Sequence, residues 1–208
     1  MKHIFIDCGT NLGQGLQRFN KKLNLFNNDK WKIYTFEPNK YINIDNILPK
    51  VKNLIKYKKA VWIYDGNIKF LSKGKNEKYK YMRGKENKFQ GGGSQLSICK
   101  SNAEIPVWDE EEENIVECID FSNFLKQFSG EDYYVVVKFD IEGAEEKLID
   151  YLIQTGNIKI INKLFIETHG RFHFKRSEWN KKKDEISRID NSLINKCKKY
   201  ISYVEKWD

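Results

Sequence analysis

The chain has 208 residues, room for one ordinary α/β domain and not for two. Hydrophobic residues make up 40%, enough for a full core, yet no apolar run approaches the ~18 residues of a membrane span, and the short N-terminal run closed by Asp7 is no signal peptide. The net charge is +8, from 37 Lys and Arg against 29 Asp and Glu. Such a surface attracts anions, but the lysines are spread among many asparagines, as A/T-biased coding would also produce.

The predicted elements alternate between β-branched or aromatic runs and helix-length segments, the pattern of a parallel sheet covered by helices. Lys2–Asp7 is a first strand, followed by a glycine-bearing turn and a helix over about 13–25. Trp31–Glu37 is a second strand, and Lys40–Leu48 a helix stopped by Pro49. Leu54–Ile63 reads as one third strand, ending at the Asp65-Gly66 turn, with Ile68–Leu71 as the return strand of a hairpin. Residues 72–90 form a lysine-rich excursion leading to Gly91-Gly92-Gly93, and such loops are usually functional or mobile. The acid run Asp109–Glu113 reads as a solvated loop. Phe121–Phe128 is a helix, Tyr133–Asp140 a buried strand, Glu145–Gln154 a helix, Lys163–Glu167 a fifth strand and Glu178–Lys196 a long amphipathic helix. Tyr200–Lys206 closes the chain.

Cysteines stand at positions 8, 99, 118 and 197, with no Cys-x-x-Cys pair. Zinc binding and a dense disulfide framework are therefore not expected, and a reducing, cytoplasmic setting fits best. The first strand begins almost at Met1 and the chain stops soon after the last one. Such close trimming suits a single domain, 1–208, cut from or fused to a larger protein.

Three places carry chemistry. In Phe5-Ile6-Asp7-Cys8-Gly9-Thr10-Asn11-Leu12-Gly13-Gln14-Gly15 an apolar strand ends in an acid, and glycines then let the backbone turn tightly beside a ligand. No Gly-Lys-Ser/Thr follows, so it is not a P-loop, and Arg18 stands where a dinucleotide fingerprint needs its last glycine. An acid there suits a cationic ligand better than a pyrophosphate. Thr35-Phe36-Glu37-Pro38-Asn39 closes the second strand 28 positions after Gly9, where an acid can take hydrogen bonds from both ribose hydroxyls. Lys138, Asp140 and Glu142 crowd the end of a buried strand and share strand parity, and charge there is costly without a partner or a task. Phe165-Ile166-Glu167-Thr168-His169 brings another acid and a histidine to the same edge.

In this order, Phe-Ile-Asp-x-Gly-x-Asn-x-Gly (5–13), Phe-Glu-Pro-Asn (36–39), Lys-x-Asp-x-Glu-Gly-x-Glu (138–145) and Ile-Glu-x-His (166–169), the chain resembles the FkbM-type methyltransferase family. Lesser matches lie at Lys59-Ala60-Val61, Asp65-Gly66, Gly93-Ser94-Gln95-Leu96 and Val116–Phe121. The resemblance implies a class I methyltransferase, Rossmann-like α/β fold, with a mostly parallel sheet and helices on both faces. We expect the order 3-2-1-4-5 with a final antiparallel addition.

The resemblance also implies S-adenosyl-L-methionine as cofactor and a sugar or glycan hydroxyl as acceptor. By carry-over, Asp7, Gly9, Asn11 and Gly13 would hold the methionine part and Glu37 the ribose, with Pro38, Asn39, Ala60 and Val61 near the adenine. Lys138, Asp140, Glu142, Glu167 and His169 would surround the transferring methyl. The excursion at 72–90 and the missing helix before the first strand depart from the family pattern, and both bear on the acceptor wall.

Displacement at a sulfonium methyl needs in-line alignment and, for an alcohol, a base. Asp140 and His169 are the base candidates, with Lys138 and Glu167 as orienting or charge-balancing partners. The acids equally permit a divalent ion such as Mg²⁺. Three rival readings are a nucleic-acid methyltransferase, a dinucleotide oxidoreductase and a non-catalytic binding module. The first has the basic surface in its favour but lacks an Asn/Asp-Pro-Pro-Tyr/Phe motif, and the second fails on the glycine pattern.

Overall fold

A computed structural model describes residues 1–40, 42, 51–73, 95, 96, 99 and 111–207. Its centre is a six-stranded parallel sheet built from β1 (Lys2–Cys8), β2 (Trp31–Phe36), β3 (Leu54–Tyr57), β8 (Tyr133–Phe139), β9 (Lys163–Ile166) and β10 (Tyr203–Lys206), in the order β10-β9-β8-β1-β2-β3. β1 and β8 lie in the middle, which is why both read as nearly continuous apolar runs. Alternate residues serve opposite faces. Ile4, Ile6, Val135, Val137 and Phe139 join one core cluster, whereas Phe5 and Val136 join the other.

Helix α1 (Gln14–Leu23) covers the second of these faces through Leu16 and Phe19, three residues apart on one side of the helix. The opposite face is covered by α2 (Phe121–Lys126), α3 (Glu145–Gln154) and α4 (Lys183–Lys198), which bury Phe124 and Leu125, Leu148, Ile149 and Leu152, and Leu193 and Cys197. Asp120 caps α2 by accepting the Asn123 N–H at 2.9 Å. The mixed α/β class and the helices on both faces are as expected. No described helix is long and apolar enough to cross a membrane, and the four cysteines are free thiols.

Four features differ from expectation. The last strand, β10, is parallel to β9. The connection between the two holds one α-helix, α4, after two short 3₁₀ turns, and such a crossover returns the chain to the end from which β9 started. The expected third strand is two: β3 ends at Tyr57, Lys58 and Lys59 break the run, and β4 (Ala60–Trp62) enters a different sheet. That second sheet has four strands in the order β4-β7-β5-β6, with β5 (Gly66–Lys73), β6 (Gln95–Leu96) and β7 (Glu111–Asp120). The acids Glu111–Glu113, expected in a loop, open β7, and the hairpin return runs on to Lys73. Finally, α4 starts at Lys183 rather than near Glu178, after a short 3₁₀ turn at Arg176–Glu178. The expected helix at 40–48 lies almost wholly outside the described residues, as do the excursion beyond Lys73 and residues 109 and 110.

The small sheet matters because of where it packs. Ala60, Trp62, Phe70, Leu96 and Cys118 form a third cluster with Ala144, the residue just before α3. It thereby overhangs the carboxyl ends of β1, β2 and β8, the edge where open α/β sheets bind ligands.

Candidate active site

Between the two sheets lies a cleft with about 640 Å³ of empty space, counting the part open to solvent. Its floor is the carboxyl edge of the main sheet, with Gly9 and Asn11 after β1, Glu37 and Pro38 after β2, and Asp140, Ile141 and Glu142 after β8. Its roof comes from Ala60, Val61, Phe70 and Leu96 of the small sheet. Phe36 and Ile42 complete an apolar wall.

Backbone geometry explains the glycine after β1. Gly9 has φ 77°, and a Cβ built there would stand 1.7 Å from the carbonyl oxygen of Asp140. Only a residue without a side chain lets the turns after β1 and β8 touch. Asn11 (φ 48°) and Gly13 (φ 73°) continue the turn into α1, and Gly13 is the N-cap of that helix.

Glu37 is buried, and both of its carboxylate oxygens are organised by the backbone. Oε2 accepts the Asn11 N–H at 2.7 Å and Oε1 accepts the Asn39 N–H at 2.9 Å. Asn39 thus sits beneath Glu37 and shapes it. Burial pushes the Glu37 carboxyl up to about 7, against the pull of those two amides. In this case the folded chain holds the proton more tightly than the unfolded chain. Glu37 therefore costs no stability at low pH, and an increasing amount as pH rises from about 4.5 to about 7, reaching on the order of 3 kcal/mol. Subtracting the urea-denaturation stability of Glu37→Ala from that of the parent should leave a curve falling across this window and flat above it. Parallel pH curves for the two proteins would contradict the assignment.

Asp7 and Lys138 are partners across the β1–β8 ladder, and their parity sends both side chains to the α1 face. Lys138 is 2% exposed; its ammonium donates to Gly9 O at 2.9 Å and forms ion pairs with Asp7 Oδ1 and Asp140 Oδ2, each at 3.1 Å. Burial opposes its charge, but the two carboxylates outweigh burial and hold the ammonium above the ordinary lysine range. Burial pushes the Asp7 carboxyl up, and Lys138 pulls it back in part. Asp7 does not line the cleft; it acts on it from beneath, through Lys138.

The third group surrounds His169, whose side chain is 2% exposed. Glu145 Oε1 lies 3.0 Å from Nδ1, and Glu142 Oε2 and Glu167 Oε1 lie 3.4 Å and 3.6 Å from Nε2. Burial disfavours the imidazolium, yet Glu145 and Glu142 overcome it and push His169 up to about 10. Burial, with Asp140 second, pushes the Glu167 carboxyl up to about 7. Glu145 also accepts the N–H groups of Ile141 (2.8 Å) and Gly143 (2.9 Å), which fixes the turn after β8. In that turn Glu142 takes the left-handed conformation, φ 52°, a strained choice for a non-glycine residue that tends to mark functional sites.

The structure thus brings Gly9, Asn11, Glu37, Pro38, Ala60, Val61, Asp140 and Glu142 onto one cleft, with Lys138, Glu167 and His169 at its β8–β9 end. Sequence reasoning missed Phe70 and Leu96, which come from the small sheet, and gave no role to Glu145. Glu145 was nonetheless visible as the last acid of Lys-x-Asp-x-Glu-Gly-x-Glu.

An open parallel sheet with these turns, and an acid closing its second strand beside the cleft, makes this a Rossmann-like α/β domain with a ligand cleft at the carboxyl edge of its sheet. A family model described as Methyltransferase FkbM domain matches residues 7–200, and the chain belongs to that family. Neither a comparison with curated proteins nor one with solved structures finds a match.

Proposed function

We propose that the chain is an S-adenosylmethionine-dependent O-methyltransferase acting on a hydroxyl of a sugar or glycan. The observation that carries this reading is Glu37, a buried carboxylate aligned by two backbone amides at the end of β2, on the wall of the cleft. An acid at that point suits a ribose diol. The cleft's donor set fits the rest of the cofactor: Pro38, Ala60 and Val61, with Phe36, offer a wall for a planar base, and Asp140 and Glu142 offer negative charge toward a cationic centre. Gly9, Asn11 and the turn capped by Gly13 would receive the methionine part, with Asn39 holding Glu37 in place.

S-Adenosylmethionine would supply an electrophilic methyl group on a cationic sulfur. Asp140, on the cleft wall, is the residue to take the acceptor's proton. Lys138 orients it from below and offsets part of its charge. His169, already holding a proton among carboxylates, serves as a charge-balancing neighbour rather than a free base, and Glu167 stands beside it. A sugar hydroxyl as acceptor draws its support from the family resemblance.

The test is calorimetry. The parent protein should bind S-adenosylmethionine, and a folded Glu37→Ala protein should bind it more weakly by roughly 1.5–3 kcal/mol, the scale of hydrogen bonds to a charged group. Equal affinity in the two proteins would remove Glu37 from the ribose and with it the basis of this reading.

A further inference from the structure

We propose that Asp140, Glu142 and His169 form a binding site for a divalent cation of the manganese or magnesium class. One ligand atom from each of the three lies within 4.8 Å of the others, close enough to contract onto a hexacoordinate ion at roughly 2.1 Å per ligand. They arrive from two adjacent strand ends: Asp140 and Glu142 follow β8, and His169 follows β9.

An acidic cluster alone would not carry this. The independent observation is His169. It is 95% buried, yet neither ring nitrogen makes a hydrogen bond, and buried polar atoms are rarely left so. The carboxylate oxygens around it are near but out of line. Its Nδ1 has Glu145 beside it, so Nε2 is the nitrogen that faces Glu142 and Glu167. A buried imidazole with one nitrogen beside a carboxylate and the other facing an acidic cluster is the usual arrangement behind a metal ligand. Glu145 is itself anchored by two backbone amides, so the carboxylate next to Nδ1 is held fixed. The carboxylates of Glu142 and Glu167 beside Nε2 supply the negative field that a cation there would need. Carboxylates with one imidazole suit Mn²⁺ or Mg²⁺ better than softer ions.

Because Asp140 and Glu142 also line the cleft, a bound cation would reach the acceptor, where it would polarise the hydroxyl as a Lewis acid. This consequence rests on the proposed methyl transfer. The cation site does not, and its test uses the metal alone. Chelator-stripped full-length protein titrated with Mn²⁺ and followed by electron paramagnetic resonance should remove one equivalent of the free-ion signal. Glu142→Gln and His169→Ala should each weaken uptake by at least roughly tenfold, while Glu117→Gln, an acid on the small sheet, should bind as the parent does. Should His169→Ala fail to fold by circular dichroism, Glu142→Gln decides, since Glu142 lies on a partly exposed turn. No loss of the Mn²⁺ signal at millimolar metal, or equal uptake by the parent and Glu142→Gln, overturns the proposal. Calorimetry of the cofactor in chelator reports on the Glu37 end separately, so failure of one leaves the other standing.

Discussion

Lys138→Met should destabilise the protein by about 3–5 kcal/mol, the cost of removing one partner from a buried ion pair. The loss follows from the three contacts of the ammonium. Without them Asp7, 0% exposed, and Asp140 lose their shared cation, and the carbonyl of Gly9 loses its donor. Asp7 would answer by keeping its proton, because burial already pushes its carboxyl up even beside Lys138. The deficit should therefore shrink as the medium is acidified and unpaired carboxylates become neutral. Asp7→Asn in the Lys138→Met background should restore part of the loss, since the two residues act as one unit. Urea denaturation of the parent, Lys138→Met, Asp7→Asn and the double variant measures this directly. A Lys138→Met protein as stable as the parent at neutral pH would mean that the triad is not formed.

Asp140→Asn should cut methyl transfer strongly, by roughly 10²–10⁴-fold, the usual worth of a positioned acid–base group. The amide keeps the side chain's shape and an oxygen to accept from Lys138, so the fold should change little. What disappears is a negative charge on the cleft wall, beside the turn after β1. His169→Ala separates two roles in the same assay. If His169 only balances charge, its loss costs less than that of Asp140. If its loss abolishes turnover while Asp140→Asn remains active, the proton passes through the histidine instead. Normal turnover in both variants would move the chemistry elsewhere in the chain.

Much of this site was legible in the sequence because its chemistry is local. A strand that ends Asp-x-Gly, a strand that ends Phe-Glu-Pro, and a buried strand carrying Lys138 and Asp140 each violate what an ordinary core strand would hold. Those violations point to ligand-facing turns. The Asp7–Lys138 pair was less accessible, since it depends on β1 and β8 being neighbours and in register.

The small sheet escaped notice for a different reason. In β7 the outward residues Glu113, Ile115 and Glu117 alternate with the inward Asn114, Val116 and Cys118, and the opening acids mask that two-residue period. Similarly, Leu54–Ile63 is rich enough in apolar and aromatic residues to pass for one strand, although Lys58 and Lys59 divide it between two sheets. The roof of the cleft, Ala60, Val61, Phe70 and Leu96, depends on those tertiary choices. The parallel direction of β10 follows from the helix that precedes it rather than from any residue within it.

The proposed methyl transfer to a sugar hydroxyl is tested most directly by supplying the parent protein with methyl-labelled S-adenosylmethionine and a panel of sugars and glycans. Label should enter an acceptor as a base-stable methyl ether, and should be lost in Asp140→Asn. Cofactor binding with no label in any hydroxyl, or label entering nucleic acid instead, would contradict the proposed transfer.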